Sequence, residues 1–373
     1  MKKLGFGTMR LPILDENDQT SIDIEQYKKM VDMFLERGFT YFDTAYPYHK
    51  GESERALKKA LVERYPRDSY TVTTKLPPAE INSLESRDRI FNEQLEKTGL
   101  EYFDFYWLHC VMQSNYESVF EKYDCFNWLA DKKAKGLVKH IGFSFHDNAD
   151  FLDKILTEHP EVEYVQLQIN YLDWESYDIQ SRRCYEVCEK HGKPVIVMEP
   201  IKGGALANLS ETTTKIFKDA DKDASVASWA VRFVASLDNV YMVLSGMSNL
   251  EQMDDNTSYM VDFKPLTEDE KALCLKAAEQ INSERAINCT GCSYCTDGCP
   301  MEIKIPQYFK MYNRLKQAVS EGTIMRAKAS YQDYIKTHAA PDECVECGQC
   351  EDACPQHLTI RDYLKDVARD FAE

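Results

Sequence analysis

Eight of the thirteen cysteines in this 373-residue chain form two runs with the same internal spacing. The two runs are Cys289, Cys292, Cys295 and Cys299, and Cys344, Cys347, Cys350 and Cys354. In each run, two residues separate successive cysteines among the first three, three residues precede the fourth, and a proline follows it. Three thiolates at this spacing can hold corners of an iron–sulfur cube on one tight loop, while the fourth points away. The spacing therefore predicts two [4Fe–4S] clusters.

Both runs are similar to the cysteine run of two-cluster bacterial ferredoxins, in which the fourth cysteine ligates the other run's cluster. On that pattern, Cys299 completes the cluster of the second run and Cys354 completes the cluster of the first. A zinc site is the alternative, but zinc sites prefer two separated cysteine pairs. A disulfide framework requires an oxidising compartment and usually an even number of cysteines, and this chain has thirteen. We therefore expect thiolate–iron chemistry, with the other five cysteines as small buried side chains.

Four polar side chains end or follow three successive apolar runs in the first third of the chain. They are Asp43, Tyr48, Lys75 and His109. If the runs are neighbouring parallel strands, their carboxyl ends meet at one edge and the four side chains converge there. A lysine ammonium can lower the pKa of a tyrosine, a carboxylate can keep the lysine charged, and a histidine can position a carbonyl oxygen. Taken singly, each is consistent with an ordinary strand-end polar residue; together they predict a proton-delivery site.

The elements that would position these residues are short apolar runs alternating with amphipathic stretches. The runs predicted to be strands are 41–43, 70–75, 103–109, 140–144, 164–169, 195–198 and 240–244, with one more expected within 5–9. The predicted helices are 24–37, 53–64, 86–98, 117–135 and 178–191. Eight such units in about 260 residues favour an α/β fold of the closed (β/α)₈ TIM-barrel type. An open doubly wound sheet is the competitor, but no Gly-x-Gly-x-x-Gly follows a predicted strand.

A domain boundary is expected near Pro265. Thr267 and Glu270 have the spacing of a capping box, which predicts that a new helix begins there. No strand pattern recurs after this point, and helices are expected over 308–318 and 330–337. The sequence therefore predicts a barrel over 1–264 and a mostly α-helical, ferredoxin-like domain with two iron–sulfur clusters over 265–373.

Motifs along residues 1 to about 260 are similar to those of the aldo/keto reductase family. In chain order they lie at 5–10, 42–48, 51–54, 74–75, 108–109, 142–144 and 168–170. The whole chain, with its cysteine runs, resembles the prokaryotic members of this family that are fused to a ferredoxin-like domain. The resemblance implies that Asp43, Tyr48, Lys75 and His109 are a catalytic tetrad, with Tyr48 as the general acid for carbonyl reduction.

The resemblance also implies a nicotinamide cofactor, NADH or NADPH, extended across the barrel mouth. Its expected contacts are Gly7, Thr8, Met9, Ser144, Gln168, Met198, Gly203, Ser245, Gly246, Met247, Gln252 and Asn256. Met198 stands where family members commonly stack an aromatic ring on the nicotinamide. Gly246 and Gln252 stand where they commonly offer a lysine and an arginine to the 2′-phosphate, so a strong charge-assisted pair for NADPH is missing. FMN in the barrel phosphate site is an alternative cofactor.

The net charge of −17 excludes several classes of partner. A strongly acidic surface repels the phosphate backbone of nucleic acids and anionic lipids. No stretch approaches the apolar length of a membrane span, and the start of the chain has no signal-peptide pattern. We therefore expect a cytoplasmic protein that binds neither nucleic acid nor membranes.

The leading functional hypothesis is a reductase of small aldehydes or ketones whose clusters relay electrons from or to a ferredoxin or other redox partner. The first alternative is an NAD(P)H-dependent reductase whose clusters are structural or redox-sensing. The second is a non-catalytic electron-transfer module. Aromatic residues near predicted strand ends, expected to line a substrate pocket, are Tyr46, Trp107, Tyr171 and Trp174.

Overall fold

The computed structural model describes residues 2–176, 179–289, 291, 293–318, 321–354 and 356–372. The chain divides into two compact units, Met1–Lys276 and Ala277–Glu373. This division falls inside a helix, Glu268–Ser283, that begins just after the boundary expected near Pro265. Among the described residues, every helix is too short or too polar to cross a membrane.

The first unit is built around a closed barrel of parallel strands in which each strand pairs with the next and β8 pairs with β1. The strands are β1 Leu4–Gly7, β2 Tyr41–Asp43, β3 Thr71–Leu76, β4 Phe103–Val111, β5 Val138–Phe145, β6 Tyr164–Gln168, β7 Val195–Met198 and β8 Val240–Ser245. The strands are buried almost throughout because helices cover the barrel outside and side chains fill it inside. The predicted (β/α)₈ barrel is confirmed.

Helices follow the strands on the outside of the barrel. They are α1 Ile24–Glu36, α2 Ser53–Leu57, α3 Leu84–Thr98, α4 Gln113–Asn115, α5 Cys125–Ala134, α6 Ala149–Glu158, α7 Ser181–Lys190, α8 Glu211–Ala220, α9 Val226–Ala235, α10 Leu250–Met260 and α11 Glu268–Ser283. The predicted capping box of α11 is present, since Thr267 and Glu270 exchange hydrogen bonds.

The helix expected over 117–135 is interrupted, which corrects the sequence-based prediction. A wide π-type turn, Tyr116–Glu121, precedes α5, and Asp124 between them has a left-handed φ of 49°. The Arg87 guanidinium donates hydrogen bonds to the Tyr123 and Asp124 carbonyls, which satisfies backbone groups that the break exposes. The amphipathic pattern alone does not reveal this long-range contact.

A layer of large side chains fills the barrel interior below the mouth. Phe105 on β4 contacts Tyr241 on β8, with ring centroids 6.0 Å apart, and these strands are not neighbours, so the contact crosses the interior. Trp107 joins this cluster with no exposed surface. A Cβ added at Gly142 would lie 2.6 Å from the Trp107 ring, so only glycine leaves room for the indole. Trp107 is therefore part of the core.

The regular secondary structure of the second unit is helical over its described residues. Its further helices are α12 Tyr294–Asp297, α13 Ile305–Lys316, α14 Glu321–Tyr334, α15 Gln349–Asp352 and α16 Ile360–Ala372. The helices expected over 308–318 and 330–337 correspond to α13 and α14, of which α14 begins well before the predicted start. The core of this unit contains aliphatic and aromatic side chains together with Cys295, Cys350 and Cys354.

Candidate active site and cluster unit

A buried ion pair lies at the carboxyl ends of β2 and β3. The Lys75 ammonium is 2.6 Å from Asp43 Oδ1 and also donates to the Thr44 carbonyl at 2.8 Å. Lys75 has no exposed surface, and Asp43 is almost fully buried. A buried pair of this kind needs additional hydrogen bonds to offset the cost of removing both charges from water. The Thr44 carbonyl supplies one of them.

Tyr48 meets this pair from the loop that follows β2. Its hydroxyl oxygen is 3.4 Å from Lys75 Nζ. The next residue, His49, fixes the loop: its Nε2 accepts from the Leu11 amide at 3.1 Å, and its Nδ1 lies 2.7 Å from the Gln19 carbonyl. The loop after β1 therefore holds the loop that carries Tyr48.

Burial and the lysine act in opposite directions on the Tyr48 hydroxyl. Burial raises the pKa of Tyr48 above its ordinary value, while the Lys75 ammonium lowers it and the Asp43 carboxylate raises it. Burial is also the largest single influence on Lys75 and opposes its charge, but Asp43 and Tyr48 together raise the pKa of Lys75. The sequence argument therefore identified the direction of the lysine effect but not the larger opposing effect of burial.

His109 closes the group from β4. Its imidazole meets the Tyr48 ring edge-on, with ring centroids 6.1 Å apart. Burial, with smaller contributions from Lys75 and His146, lowers the pKa of His109 to about 3. The ring is therefore neutral over the physiological pH range, and the structure brings all four predicted catalytic side chains together.

A second buried carboxylate lies behind the ion pair. Glu54 Oε1 accepts hydrogen bonds from Thr74 Oγ1 at 2.7 Å and from Gln94 Nε2 at 2.8 Å. Gln94 Nε2 also lies 3.1 Å from the Lys75 carbonyl. Burial raises the pKa of Glu54. This network ties α2 and α3 to β3 at Thr74 and at the backbone of Lys75.

Thr8 and Ser144, which are expected to contact a cofactor, both have hydrogen bonds within the protein. Thr8 Oγ1 donates to the Asp43 carbonyl at 3.0 Å and lies 2.7 Å from Ser53 Oγ. Ser144 Oγ accepts from the Cys110 amide at 2.7 Å. Both hydroxyls are buried, so they join neighbouring strands and loops as well as lying near the mouth.

Gln168 is oriented by a carboxylate at the end of β6. Its Nε2 donates to Asp173 Oδ2 at 3.0 Å, and Asn170 Nδ2 donates to the same oxygen at 2.9 Å. Lys202, in the loop after β7, lies 2.5 Å from Asp173 Oδ1. The lysine lowers the pKa of Asp173 although burial acts against it. Lys202 therefore joins the β6 and β7 loops.

The loop after β8 uses its expected cofactor residues mainly for its own structure. Ser245 Oγ and Asn256 Oδ1 lie 2.9 Å apart, and both residues are buried. Gln252 Oε1 accepts from the Ser248 amide at 2.8 Å, which satisfies a donor at the start of α10. Met247 is fully buried. Of this group, Gln252 has an exposed side chain.

Sequence reasoning missed Arg10, which lies between the loops after β7 and β8. A Cβ added at Gly203 would lie 3.0 Å from Arg10 Nη2, and one added at Gly246 would lie 3.3 Å from Arg10 Cδ. Arg10 is exposed and makes no ion pair or hydrogen bond within the described part of the chain. The sequence signal that could have identified Arg10 is its position directly after Thr8 and Met9, in the same turn.

These loops fit a phosphate group. Gly203 and Gly204 have φ of 65° and 99°, where a side chain is strained, and both expose backbone that an anion can approach. Arg10 adds a guanidinium whose planar fork matches a phosphate. The other expected contacts lie around the same rim: Gly7 at the end of β1, Met9 60% exposed after it, and Met198, partly buried, at the end of β7.

The remaining aromatic candidates do not form one pocket. Tyr46 donates from its hydroxyl to Glu93 at 2.8 Å, and Tyr171 is buried against Phe217. Trp174 packs against Phe233 with ring centroids 5.9 Å apart. With Trp107 in the barrel core, the predicted aromatic substrate pocket is not formed by these four residues.

In the second unit, four cysteines line one small apolar cavity. They are Cys299, Cys344, Cys347 and Cys350, together with Ile303, Ile305 and Leu364. Cys299 thus lies with the first three cysteines of the second run, as expected for a cluster whose fourth ligand comes from the other run. The donor set of four sulfur atoms in apolar surroundings fits a [4Fe–4S] cluster.

The other expected ligand set is Cys289, Cys292, Cys295 and Cys354, of which Cys292 lies outside the described residues. Cys295 and Cys354 are buried in the core of the unit, and Cys289 packs against it. Cys289 Sγ accepts from the Gly291 amide at 3.4 Å, a type of bond that influences cluster potentials. No three described His, Cys, Asp or Glu side chains lie close enough to share a single metal ion. A cube spaces its four ligands more widely than a single ion does.

Comparison with known families gives two matches in chain order. The profile described as "Aldo/keto reductase family" matches residues 3–279, and the one described as "4Fe-4S dicluster domain" matches residues 288–359. The first match covers most of the chain and the whole barrel. The second covers all eight cysteines of the two runs.

Individual relatives match the barrel region. An aldo-keto reductase of Mycolicibacterium vanbaalenii is 30% identical over 240 residues, which cover 64% of this chain and 78% of the relative. An uncharacterized oxidoreductase of Schizosaccharomyces pombe is 25% identical over 267 residues, which cover 69% of this chain and 80% of the relative. The likeness of this chain to these two relatives is therefore one of sequence as well as of family.

Solved structures share the barrel fold. The holo form of an aldo-keto reductase from Bacillus halodurans superposes with a TM-score of 0.60 at 22% identity, covering 74% of this chain and 91% of that one. An aldo-keto reductase from Klebsiella pneumoniae in complex with NADPH gives a TM-score of 0.57 at 19% identity, covering 77% and 93%. At these identities the likeness demonstrates a common fold.

Proposed function

Because the chain belongs to the aldo/keto reductase family of oxidoreductases and carries a 4Fe–4S dicluster domain, we propose that its barrel reduces small aldehydes and ketones to alcohols. The observation that carries this proposal is the position of Tyr48, whose hydroxyl lies 3.4 Å from a buried, carboxylate-paired ammonium. A carbonyl gains a hydride equivalent at carbon and a proton at oxygen, and this arrangement suits delivery of the proton.

Tyr48 is the proton donor in this proposal. Its raised pKa keeps the hydroxyl protonated at neutral pH, so the proton is available when the carbonyl arrives. As the proton leaves, negative charge develops on the phenolic oxygen beside the Lys75 ammonium, which stabilises it in a low-dielectric site. Asp43 holds Lys75 charged and oriented throughout. Tyr48 is then reprotonated from solvent.

His109 orients the substrate. A neutral imidazole carries one N–H donor, which can hydrogen-bond a carbonyl oxygen without competing with Tyr48 as the acid. The low pKa of His109, caused mainly by burial, keeps it in that neutral form. Tyr48 and His109 together thus define where the substrate oxygen binds.

A nicotinamide nucleotide, when bound, supplies the hydride. The structure with NADPH from Klebsiella pneumoniae has the same barrel fold, which supports this choice over FMN. On this chain we propose that Arg10 and the backbone at Gly203 and Gly204 hold a phosphate, and that Gln168, oriented by Asp173, lies toward the nicotinamide end. The Arg10 guanidinium would restore part of the positive charge missing at Gly246.

The clusters are proposed to exchange electrons with a ferredoxin or another one-electron partner. Each cluster carries one electron at a time, so returning an oxidised nicotinamide to its hydride-donating form would take one electron from each of the two clusters and one proton from solvent. Cysteine thiols stay reduced, and so available as cluster ligands, in a reducing compartment. This supports a cytoplasmic location.

A second function for the clusters is favoured by a separate observation. Cys295, Cys350 and Cys354 belong to the buried core of the second unit. Clusters held there would stabilise the fold of the unit, so a structural or redox-sensing role is the competing proposal.

The proton-delivery proposal is tested by Tyr48→Phe in the full, anaerobically prepared protein. Phenylalanine keeps the ring but removes the acid, and general acids contribute roughly 10²–10⁴-fold to rate. We expect carbonyl reduction to fall by that factor. Tyr46→Phe is the matched control, because the Tyr46 hydroxyl bonds Glu93 instead of the ion pair. Equal rates in the Tyr48 variant and the wild type would refute the proposal.

The two cluster roles are separated by the electron source. The relay predicts that a reduced ferredoxin supports turnover and that NAD(P)H-driven turnover depends on the oxidation state of the clusters. The structural role is supported instead if NAD(P)H-driven turnover has the same rate with oxidised and reduced clusters and if reduced ferredoxin supports no turnover.

A further inference from the structure

Strand β4 contains a bulge at the catalytic histidine. Its pairing with β5 passes from Leu108 opposite Phe143 to Val111 opposite Phe145. Two residues of β4, His109 and Cys110, therefore stand opposite one residue of β5. Cys110 has a left-handed φ of 57°, a conformation that is strained for a residue with a side chain.

Both backbone groups of Cys110 are held by side chains from other segments. Its amide donates to Ser144 Oγ on β5 at 2.7 Å. Its carbonyl accepts from Asn115 Nδ2 in α4 at 2.8 Å. Asn115 is itself fixed, because its Oδ1 accepts from the Met112 amide at 3.0 Å. A strained residue persists only where its surroundings over-determine it, and these bonds supply that constraint.

The bulge begins at His109 and changes which way the residues after it face. Alternate residues of a strand face opposite sides, and Phe105 and Trp107 face the barrel interior, so His109 continues the interior-facing row. Because of the inserted residue, Val111 faces the outside of the barrel, and it pairs with Phe145. Without the bulge, alternation would turn Val111 into the barrel interior, and the backbone that leaves His109 would follow a different path.

From these contacts we infer that Asn115 and Ser144 are positioning residues for His109, acting through the backbone of Cys110. They hold the bulge that keeps the half-buried imidazole edge-on to Tyr48. This inference rests on the proposed function for its effect on catalysis, but not for its effect on the histidine itself. The titratable groups that face His109 are Tyr48 after β2, Lys75 on β3 and His146 after β5.

The direct test is the titration of His109 by NMR in the intact protein, with Asn115→Ala against Gln113→Ala. Gln113 is a matched control, since it lies in the same short helix but its side chain bonds Asp147 at 2.8 Å and not Cys110. We expect His109 to remain neutral down to pH 5 in the wild type and in Gln113→Ala. In Asn115→Ala, a loosened bulge admits water, and the pKa of His109 rises toward its ordinary value of about 6.5.

A second pair of variants guards against simple misfolding. Cys110→Gly removes the thiol but accepts a positive φ, so the bulge and the His109 titration should stay as in the wild type. Cys110→Val disfavours a positive φ, so its histidine should titrate as in Asn115→Ala. If His109 titrates alike in all four variants, the inference is wrong.

Turnover supplies the second readout. With carbonyl substrate we expect Asn115→Ala to lose roughly 10- to 100-fold in kcat, because small misplacements of a catalytic group have effects of that size, while nucleotide affinity is unchanged. If the wild type reduces no carbonyl, the proposed function fails, and the NMR titration still decides the role of the bulge. If turnover is normal in Asn115→Ala and His109 stays neutral, the positioning role fails alone.

Discussion

The barrel mouth and the cysteine unit hold their reactive groups by different means. At the mouth, Lys75 and Asp43 are 2.6 Å apart with no exposed ammonium surface, and the ammonium also donates to the Thr44 carbonyl. In the cysteine unit the expected ligands range from the buried Cys350 to the exposed Cys347, around a cavity lined by both runs. The first site is held together by contacts within the protein. The second is arranged around an iron–sulfur cluster, whose bonds to the cysteines form only when the cluster is bound.

This difference shows what each region requires of the sequence. A proton-delivery site needs charges that are brought together and buried. Its stability therefore comes from packing and hydrogen bonds that several strands contribute. A cluster site needs four sulfur donors within reach, so its energy comes largely from metal–ligand bonds that form on loading. We therefore expect the two regions to respond in opposite ways to loss of metal and to loss of a buried charge.

Removal of iron is expected to have the largest effect and to act on one region. Metal–ligand bonds contribute directly to folding where a small unit is built around them, so chelation under anaerobic conditions should abolish the cooperative unfolding transition of residues 277–373. The barrel transition should keep its midpoint. Differential scanning calorimetry before and after chelation measures both.

The comparison fails if the cysteine unit unfolds at the same temperature with and without iron. Cys184→Ser serves as a control for cysteine substitution, since Cys184 is buried on α7 in the barrel unit and belongs to neither run. It should leave the iron content unchanged, whereas Cys350→Ser should lower it.

Loss of the buried ammonium is expected to act on the other region. Lys75→Met leaves the Asp43 carboxylate buried without its partner, and breaking such a pair typically costs about 3–5 kcal/mol. Urea unfolding of the barrel measures the loss, with the iron content of the second unit unchanged. Adding Asp43→Asn to Lys75→Met should recover part of it. Lys215→Met removes a lysine from an exposed pair and should have little effect.

The pH dependence of stability gives a smaller test of the same pair. The pKa of Lys75 is raised in the folded protein because Asp43 and Tyr48 together outweigh the effect of burial. Its contribution to stability is therefore fully present below the ordinary value of 10.5 and is lost as the pH rises through the higher folded pKa. The wild type should lose more stability than Asp43→Asn/Lys75→Met in alkaline urea titrations; parallel curves would contradict this.

Arg10 is expected to give the smallest effect, confined to nucleotide binding. Arg10→Gln removes a charge-assisted contact and should weaken nucleotide about 10-fold, or about 1.4 kcal/mol, measured by fluorescence quenching. If only the affinity for NADPH falls, Arg10 contacts the 2′-phosphate. If the affinities for NADPH and NADH fall equally, Arg10 contacts the pyrophosphate that both nucleotides share. Arg55→Gln, an exposed arginine on α2, is the control. Unchanged affinity for both nucleotides would exclude Arg10 from the site.

Sequence reasoning was most successful where one local pattern carries the information. The barrel followed from apolar runs of strand length, and two of them, Tyr41–Asp43 and Val195–Met198, have the predicted bounds. It was least successful where distant contacts override the pattern. The interruption at Asp124 depends on Arg87, and the core position of Trp107 depends on the missing side chain of Gly142.

The sequence by itself determined that the chain holds two regions of different chemistry. The cysteine spacing defines a ligand set because neighbouring donors on one loop need no distant contact to approach a cluster. Only the tertiary structure decided the pKa shifts of Tyr48 and His109, because burial is the largest influence on both pKa values and is a property of the packed chain. It also revealed Arg10, whose side chain reaches two loops more than 190 residues further along the sequence.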